Sequence, residues 1–204
     1  MPELRRIGVL GGAFDPPHRA HVALAQAAVT QLSLDLLWIV PTGHAWHKAR
    51  ALSDGRHRLA MAELAFLGVP QARVTDLELR RTGPSYTVDT LEELQMQAKG
   101  SEAEWFLLMG ADQAQAFHTW QRQADILARA RLAVANRGTD DAFEASPLAN
   151  LPWPMTLIDM PRDPVSSTLI RNQLRSTEQA QTDQSVLDEA VAGYIAQHNL
   201  YQNT

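Results

Sequence analysis

GVLGGAFDPPHRAH, residues 8–21, is the stretch whose reading decides the fold. It begins inside the apolar run Ile7–Leu10, which reads as a buried parallel strand. Gly11 and Gly12 follow at once, then Asp15, Pro16, Pro17, His18 and His21. Strand, glycine turn and proline-started helix bring backbone N–H groups up to a phosphate. His18 and His21 are three apart, so in a helix they share one face of its first turn. At a helix N-terminus that face looks toward whatever anion the turn holds.

Outward from this stretch, strands and helices alternate. A helix is predicted from about Pro17 to Leu32, with Val22, Ala25, Val29 and Leu32 as its apolar stripe. Leu36–Val40 reads as a second strand, and Thr42–Leu52 as a loop with His44, His47 and Lys48. Ser53 caps a second helix that ends near Gly68 and Pro70, and Arg73–Leu79 reads as a third strand. Gly83-Pro84-Ser85 is a turn that leads into a helix from Tyr86 to about Lys99. Trp105–Met109 is a fourth strand with Gly110-Ala111-Asp112 at its end, followed by short helices interrupted near His118–Trp120. Leu132–Ala135 and Met155–Met160 are the last strands, separated by Asn136–Pro154, a long loop and the expected mobile segment. Ser166–Arg175 and Ser185–Asn199 close the chain as helices, with Ser185 and Asp188 in capping-box form.

This alternation predicts an α/β, Rossmann-like, doubly wound parallel sheet with helices on both faces, built as one domain over residues 1–204. Ligands in such sheets bind at the carboxyl ends of the strands. The residues with chemistry obey that rule. Gly11–His21 follow the first strand, His44–Lys48 the second, Tyr86 and Thr87 the third, Asp112 the fourth and Ser166–Arg171 the last.

The whole chain narrows the class. Its 204 residues carry a net charge of −5 and no cysteine. Disulfides and thiolate catalysis are excluded, and a cytoplasmic location suits the composition. A protein that coats nucleic acid is normally basic, so no nucleic-acid partner is expected, whereas a small anion needs only a local cluster of donors. No apolar run spans a bilayer and no signal segment opens the sequence, so no membrane partner is expected. The spacing of Gly8, Gly11 and Gly12 fits neither G-x-G-x-x-G nor G-x-x-x-x-G-K-[ST]. His18/His21 and His44/His47 are H-x-x-H pairs, but no carboxylate completes either, so no metal ligand is assigned.

The opening stretch resembles the G-G-T-F-D-P-x-H-x-G-H signature of the nucleotidyltransferase superfamily, specifically of bacterial nicotinate-nucleotide adenylyltransferases. Ala13 stands where that family has Thr, and Ala20 where it has Gly; both histidines remain. Val165–Arg171, VSSTLIR, is similar to the family's I-S-S-T-x-I-R motif, and GPSYTVDTLEEL, residues 83–94, to its pyridine-nucleotide segment. His47-Lys48 and the end of the chain, Tyr194–Tyr201, also resemble family segments; the latter reads as packing without a catalytic role.

The resemblance implies an adenylyltransferase with ATP and nicotinate mononucleotide as partners and Mg²⁺ accompanying ATP. It implies catalytic roles for His18, His21, Lys48 and Arg171, with Lys48 closing over the triphosphate. Gly11, Gly12, Ala13 and Phe14 would offer the turn's backbone to phosphate, joined by Ser166, Ser167 and Thr168. Tyr86, Thr87, Asp112 and Trp120 would take the nicotinate nucleotide. For Thr87 the physical logic is capture of a carboxylate at a helix N-terminus. Tyr86 reads equally as a core residue, Asp112 also as a helix N-cap and Trp120 also as a half-buried aromatic between helices. A sister transferase acting on phosphopantetheine, and a nucleotide-binding regulator without activity, are the alternatives. The oligomeric state is not legible.

Overall fold

The computed structural model describes residues 5–43, 52–98, 102–137, 148, 150–161, 163–176 and 186–202. In chain order the elements are β1 (Arg5–Gly12), α1 (Arg19–Gln31), β2 (Leu36–Pro41), α2 (Gly55–Phe66), β3 (Ala72–Val74) and α3 (Thr87–Gln97). Then come β4 (Ala103–Gly110), α4 (Ala111–Gln115), a 3-10 turn (Ala116–Thr119), α5 (Gln123–Arg129), β5 (Arg131–Arg137), β6 (Met155–Met160), α6 (Ser167–Ser176) and α7 (Glu189–Gln197). The strands form one six-stranded sheet in the order β3-β2-β1-β4-β5-β6, with every pairing parallel.

This is the doubly wound, Rossmann-like α/β sheet that the alternation predicts. β1 lies at its centre, Val9 pairing with Trp38 on one side and Leu107 on the other. The direction of winding reverses between β1 and β4, so a crevice opens at their carboxyl ends, beside Gly11–His21 and Gly110–Asp112.

Strand alternation sends neighbouring residues of β1 to opposite cores. Leu10 packs with Leu24, Ala25 and Ala28 of α1, Met61 and Phe66 of α2, Ile170 of α6 and Val191 of α7. Ile7 and Val9 lie in a second core with Val88, Leu91 and Leu94 of α3, Phe117 of the 3-10 turn and Ile126 of α5. Helices therefore cover both faces. Of the stripe predicted for α1, Ala25 and Leu32 are buried, while Val22 and Val29 are partly buried against the same core.

Several element ends differ from the sequence reading. β3 stops at Val74 instead of running to Leu79. Leu77 fills the second core and the Glu78 carboxylate is drawn inward, while Arg80 N–H bonds the Asp76 carbonyl and turns the chain. α1 starts at Arg19, not Pro17, because His18 is its N-cap. α2 is capped by Asp54, whose carboxylate accepts from Arg56 N–H at 2.9 Å, rather than by Ser53. α7 is capped by Asp188, which accepts from Ala190 N–H. The expected cap Ser185, the stop at Lys99-Gly100 and most of the 136–154 loop lie outside the described residues. Among the described residues no helix is long and apolar enough to cross a membrane.

Gly8 is buried mid-strand, and a Cβ there would lie 2.7 Å from Leu34 Cδ1 and 2.8 Å from Leu37 Cδ1. Overfilling a packed core costs about 1–3 kcal/mol, so Gly8→Ala is expected to lower the urea unfolding free energy by about 2 kcal/mol with an unchanged slope. A loss below about 0.5 kcal/mol would mean that the two leucines move aside freely.

Candidate active site

β1 delivers its last glycines to the crevice. A Cβ at Gly11 would meet nothing within 4 Å, while one at Gly12 would lie 2.9 Å from the Phe14 ring. Phe14 adopts φ 48, a left-handed conformation unusual for an aromatic residue, and its side chain is buried. Its ring meets His21 edge-on at 5.2 Å and Phe66 at 5.6 Å between centroids. Only the backbone of Phe14 is thus left for a ligand.

His18 and His21 do share the first turn of α1, with ring centroids 3.8 Å apart. His21 Nδ1 accepts from the His18 backbone N–H at 3.2 Å. That bond puts the proton of a neutral His21 on Nε2, making this nitrogen a donor. His18 is buried and His21 half-buried. Ala13 and Ala20, the departures from the signature, are both half-buried on this turn.

The turn is held from beneath by Arg58, which stands outside every sequence motif. Arg58 of α2 is 3% exposed and donates to three carbonyls: Ser53 at 2.9 Å, Ala13 at 3.0 Å and Thr42 at 2.7 Å. It therefore ties the end of β1 to the end of β2. Burial pulls its pKa down, and the negative charge of Asp15 opposes that. A signal was present: Arg58 lies on the apolar face of α2 with Met61, Ala62 and Ala65, where an arginine needs internal partners.

Asp15 is 1% exposed. Its carboxylate accepts from Ser53 N–H at 3.3 Å and from the Tyr201 hydroxyl at 2.7 Å. Burial, and then the adjacent Asp15 charge, push the Tyr201 phenol upward, so it stays protonated as a donor. The Asp15 backbone carbonyl accepts from Arg171 Nη1 at 2.7 Å.

That last bond brings together the two most informative sequence motifs. Arg171 Nη2 also reaches Thr168 Oγ1 at 3.0 Å, and Ser167 Oγ donates to the Pro16 carbonyl at 2.8 Å. Ser166 Oγ accepts from Leu169 N–H at 3.3 Å and caps α6, whose first turn also carries the exposed Thr168. A glycine turn, a pair of histidines, a helix N-terminus and a guanidinium thus converge on one edge of the sheet. Such a set can offer neutral and charged donors to an anion such as phosphate. Lys48, like His44 and His47, lies outside the described residues.

A second group surrounds the start of α3. Tyr86 is its N-cap and Thr87 its first residue, and no side chain caps the helix. Both are half-buried, and Tyr86 packs against the second core. Trp120 follows the 3-10 turn, half-buried, with its ring 5.4 Å from Phe117 on that same core. Asp112 is exposed in the first turn of α4; Gly110 is the N-cap there, so Asp112 is not a capping residue.

Glu78 joins this group to the end of β2. Its carboxylate accepts from Gly43 N–H at 3.2 Å and from the Thr90 hydroxyl of α3 at 2.7 Å. Arg81 donates to Thr90 Oγ1 at 3.1 Å and pairs with Glu93 at 3.0 Å. A Cβ at Gly43 would fall 2.2 Å from the Glu78 carbonyl oxygen, so only glycine fits.

The chain belongs to the cytidylyltransferase-like class, whose family model matches residues 9–173. A protein of Albidiferax ferrireducens named probable nicotinate-nucleotide adenylyltransferase is 48% identical over 206 residues, covering 98% of this chain and 99% of the relative. A protein of the same name from Methylibium petroleiphilum is 39% identical, covering 97% of this chain and 92% of its own length. The chain belongs to the nicotinate-nucleotide adenylyltransferase family. The fold is shared with a Plasmodium falciparum nicotinic acid mononucleotide adenylyltransferase solved with NaAD, at a TM-score of 0.76 and 20% identity, covering 97% of each chain.

Burial pushes the Glu78 carboxyl above its ordinary range, against the hydrogen bonds from Thr90 and Gly43. A carboxyl with a raised folded pKa favours folding below its unfolded value, and that contribution is lost as pH rises through the folded pKa. Glutamine can keep both bonds, accepting from Gly43 N–H and donating to Thr90. Glu78→Gln is therefore expected to gain stability relative to the parent as pH rises from about 4.3 toward neutrality, read by urea unfolding at each pH. A parallel pH dependence in both proteins would show that Glu78 does not titrate differently on folding.

Proposed function

We propose that this chain transfers the adenylyl group of ATP to the 5′-phosphate of nicotinate mononucleotide, giving deamido-NAD and pyrophosphate. Beyond family membership, one observation carries the reading: Arg171 of α6 is pinned to the Asp15 carbonyl, which joins the glycine–histidine turn to the VSSTLIR helix as one donor cluster.

The chemistry asks little of a base. The attacking phosphate is already an anion at neutral pH. The difficulty is that two phosphate-bearing anions must meet in line, so catalysis is positioning plus stabilisation of charge on the α-phosphate and the leaving pyrophosphate. In this reading the backbone of Gly11, Gly12, Ala13 and Phe14 cradles the triphosphate. His21 donates through Nε2, the nitrogen its bond to His18 N–H leaves protonated. His18, Arg171 and the helix start at Ser166, Ser167 and Thr168 add donors, and Lys48 closes over the chain of phosphates as a point charge.

The acceptor sits at the start of α3. The N–H groups at Thr87 meet the nicotinate carboxylate, which an uncharged amide would not match. Tyr86 and Trp120 share one core and flank the pyridine ring, while Asp112 takes a ribose hydroxyl. Mg²⁺ belongs to the substrate here. Among the described residues no group of three or more histidines and carboxylates could hold an ion of its own, and a phosphate-bound Mg²⁺ keeps most of its waters. We place this reaction in NAD biosynthesis, in the cytoplasm, with residues 1–204 as one domain.

Pyrophosphate release with ATP and Mg²⁺ tests the proposal, with nicotinate mononucleotide, nicotinamide mononucleotide and phosphopantetheine compared side by side. Release is expected with the nicotinate substrate, at least about tenfold more efficiently than with the amide, the value of roughly one lost charged contact. Release with phosphopantetheine instead would overturn the acceptor assignment. Losing one well-placed donor costs roughly a hundredfold in rate, so His21→Ala is expected to lower kcat by about that factor and leave the KM for the mononucleotide nearly unchanged. An unchanged kcat would remove His21 from the charge-stabilising set.

A further inference from the structure

We propose that Tyr201 is a positioning residue for the phosphate-binding turn, acting through Asp15; this rests on the adenylyl-transfer reading above. Tyr201 lies beyond the end of α7 at Gln197, far in sequence from the turn it contacts. The chain doubles back after that helix. Leu200 N–H bonds the Ile195 carbonyl at 3.0 Å, and Asn199 and Tyr201 take φ 50 and φ 67. Left-handed conformations are unfavourable for a non-glycine residue and persist where surrounding contacts hold them. For Tyr201 those contacts are the first core, where its ring packs, and the carboxylate of Asp15, 2.7 Å from its hydroxyl.

The bond falls where it matters. Asp15 lies between the glycine turn and His18, and its own carbonyl holds Arg171. Its buried carboxylate is fixed by the Tyr201 hydroxyl on one oxygen and Ser53 N–H on the other. The hydroxyl thus restrains the residue to which Arg171 is tied and from which α1 departs. A tyrosine serving only as a packing residue needs its ring and not its oxygen. The approach of that oxygen to Met61 Sδ, at 3.9 Å, is long and weak beside its bond to Asp15. Tyr201 touches no reacting group, so its effect must run through the turn.

Tyr201→Phe deletes the oxygen and keeps the ring. One hydrogen bond is worth roughly a two- to tenfold change in an equilibrium, so amide hydrogen exchange across Gly11–His21 is expected to quicken by about fivefold relative to β4 in the same protein. ATP affinity, measured by calorimetry with ATP and Mg²⁺, should fall by about the same factor. The kcat should fall with it, while the KM for nicotinate mononucleotide stays within about twofold. In an Asp15→Ala background, which removes both carboxylate oxygens, the further change Tyr201→Phe should alter ATP affinity by less than about twofold.

Parental exchange across the turn in Tyr201→Phe would overturn the proposal, and so would an undiminished effect in the Asp15→Ala background. A lowered melting temperature with no local change in exchange would assign Tyr201 to packing alone and also overturn it. Should Asp15→Ala fail to fold, the exchange comparison of Tyr201→Phe with the parent decides by itself. If the parent releases no pyrophosphate with any acceptor, the adenylyl-transfer reading fails, while the exchange data still decide whether Tyr201 restrains the turn.

Discussion

A charged guanidinium buried under a loop needs acceptors, and Arg58 finds them in the backbone. Its bonds to the carbonyls of Ala13, Thr42 and Ser53 close the ends of β1 and β2 and the entry to α2 around one side chain. Asp15 supplies the opposing charge beside it. Removing that guanidinium would leave buried carbonyls without their donor, at about 1–3 kcal/mol for each group left unsatisfied. The glycine turn is flexible by composition, and these bonds make its position a property of the folded core. His18, His21 and the start of α6 take their places from that turn.

The sheet edge carries two groups of residues. On the β1 side stand the donors that the proposed reaction would set against phosphate charge, brought by elements from opposite ends of the chain. On the β4 side stand the aromatic and helix-terminal residues that it would set around the pyridine ring and its carboxylate. Glu78 connects the two, holding Gly43 after β2 with one oxygen and Thr90 of α3 with the other. The reaction proposed here needs both halves in register, and hydrogen bonds between loops supply that register where no secondary-structure element crosses.

Much of this is legible in the amino-acid sequence. The run Ile7–Leu10, the glycines after it and the alternation of apolar strands with amphipathic helices lead to the doubly wound sheet, because each is a local pattern with one good structural outcome. VSSTLIR and the glycine–histidine turn read correctly as neighbours, since both follow strands of one parallel sheet. What stays hidden is long-range. Arg58 looks like one more helix arginine until its face is counted. Tyr201 looks like a packing residue, because its bond to Asp15 spans nearly the whole chain. β3 reads too long because Leu77 is apolar and in phase, yet Glu78 next to it turns inward to hold Gly43 and Thr90. Asp54 rather than Ser53 caps α2, the Asp15 carboxylate and Arg58 holding the Ser53 backbone just outside the helix. In each case a tertiary hydrogen bond overrides a sound local preference.

The central claim is that the mononucleotide phosphate attacks ATP directly, with the protein supplying position and charge and no covalent adenylyl-protein intermediate. Stereochemistry at the α-phosphorus tests it most directly. With ATP made chiral at that atom and nicotinate mononucleotide as acceptor, one in-line displacement inverts the configuration in the dinucleotide product, and inversion is the predicted result. Retention would mean two displacements and a covalent adenylyl-protein intermediate, and would contradict the mechanism proposed for this site.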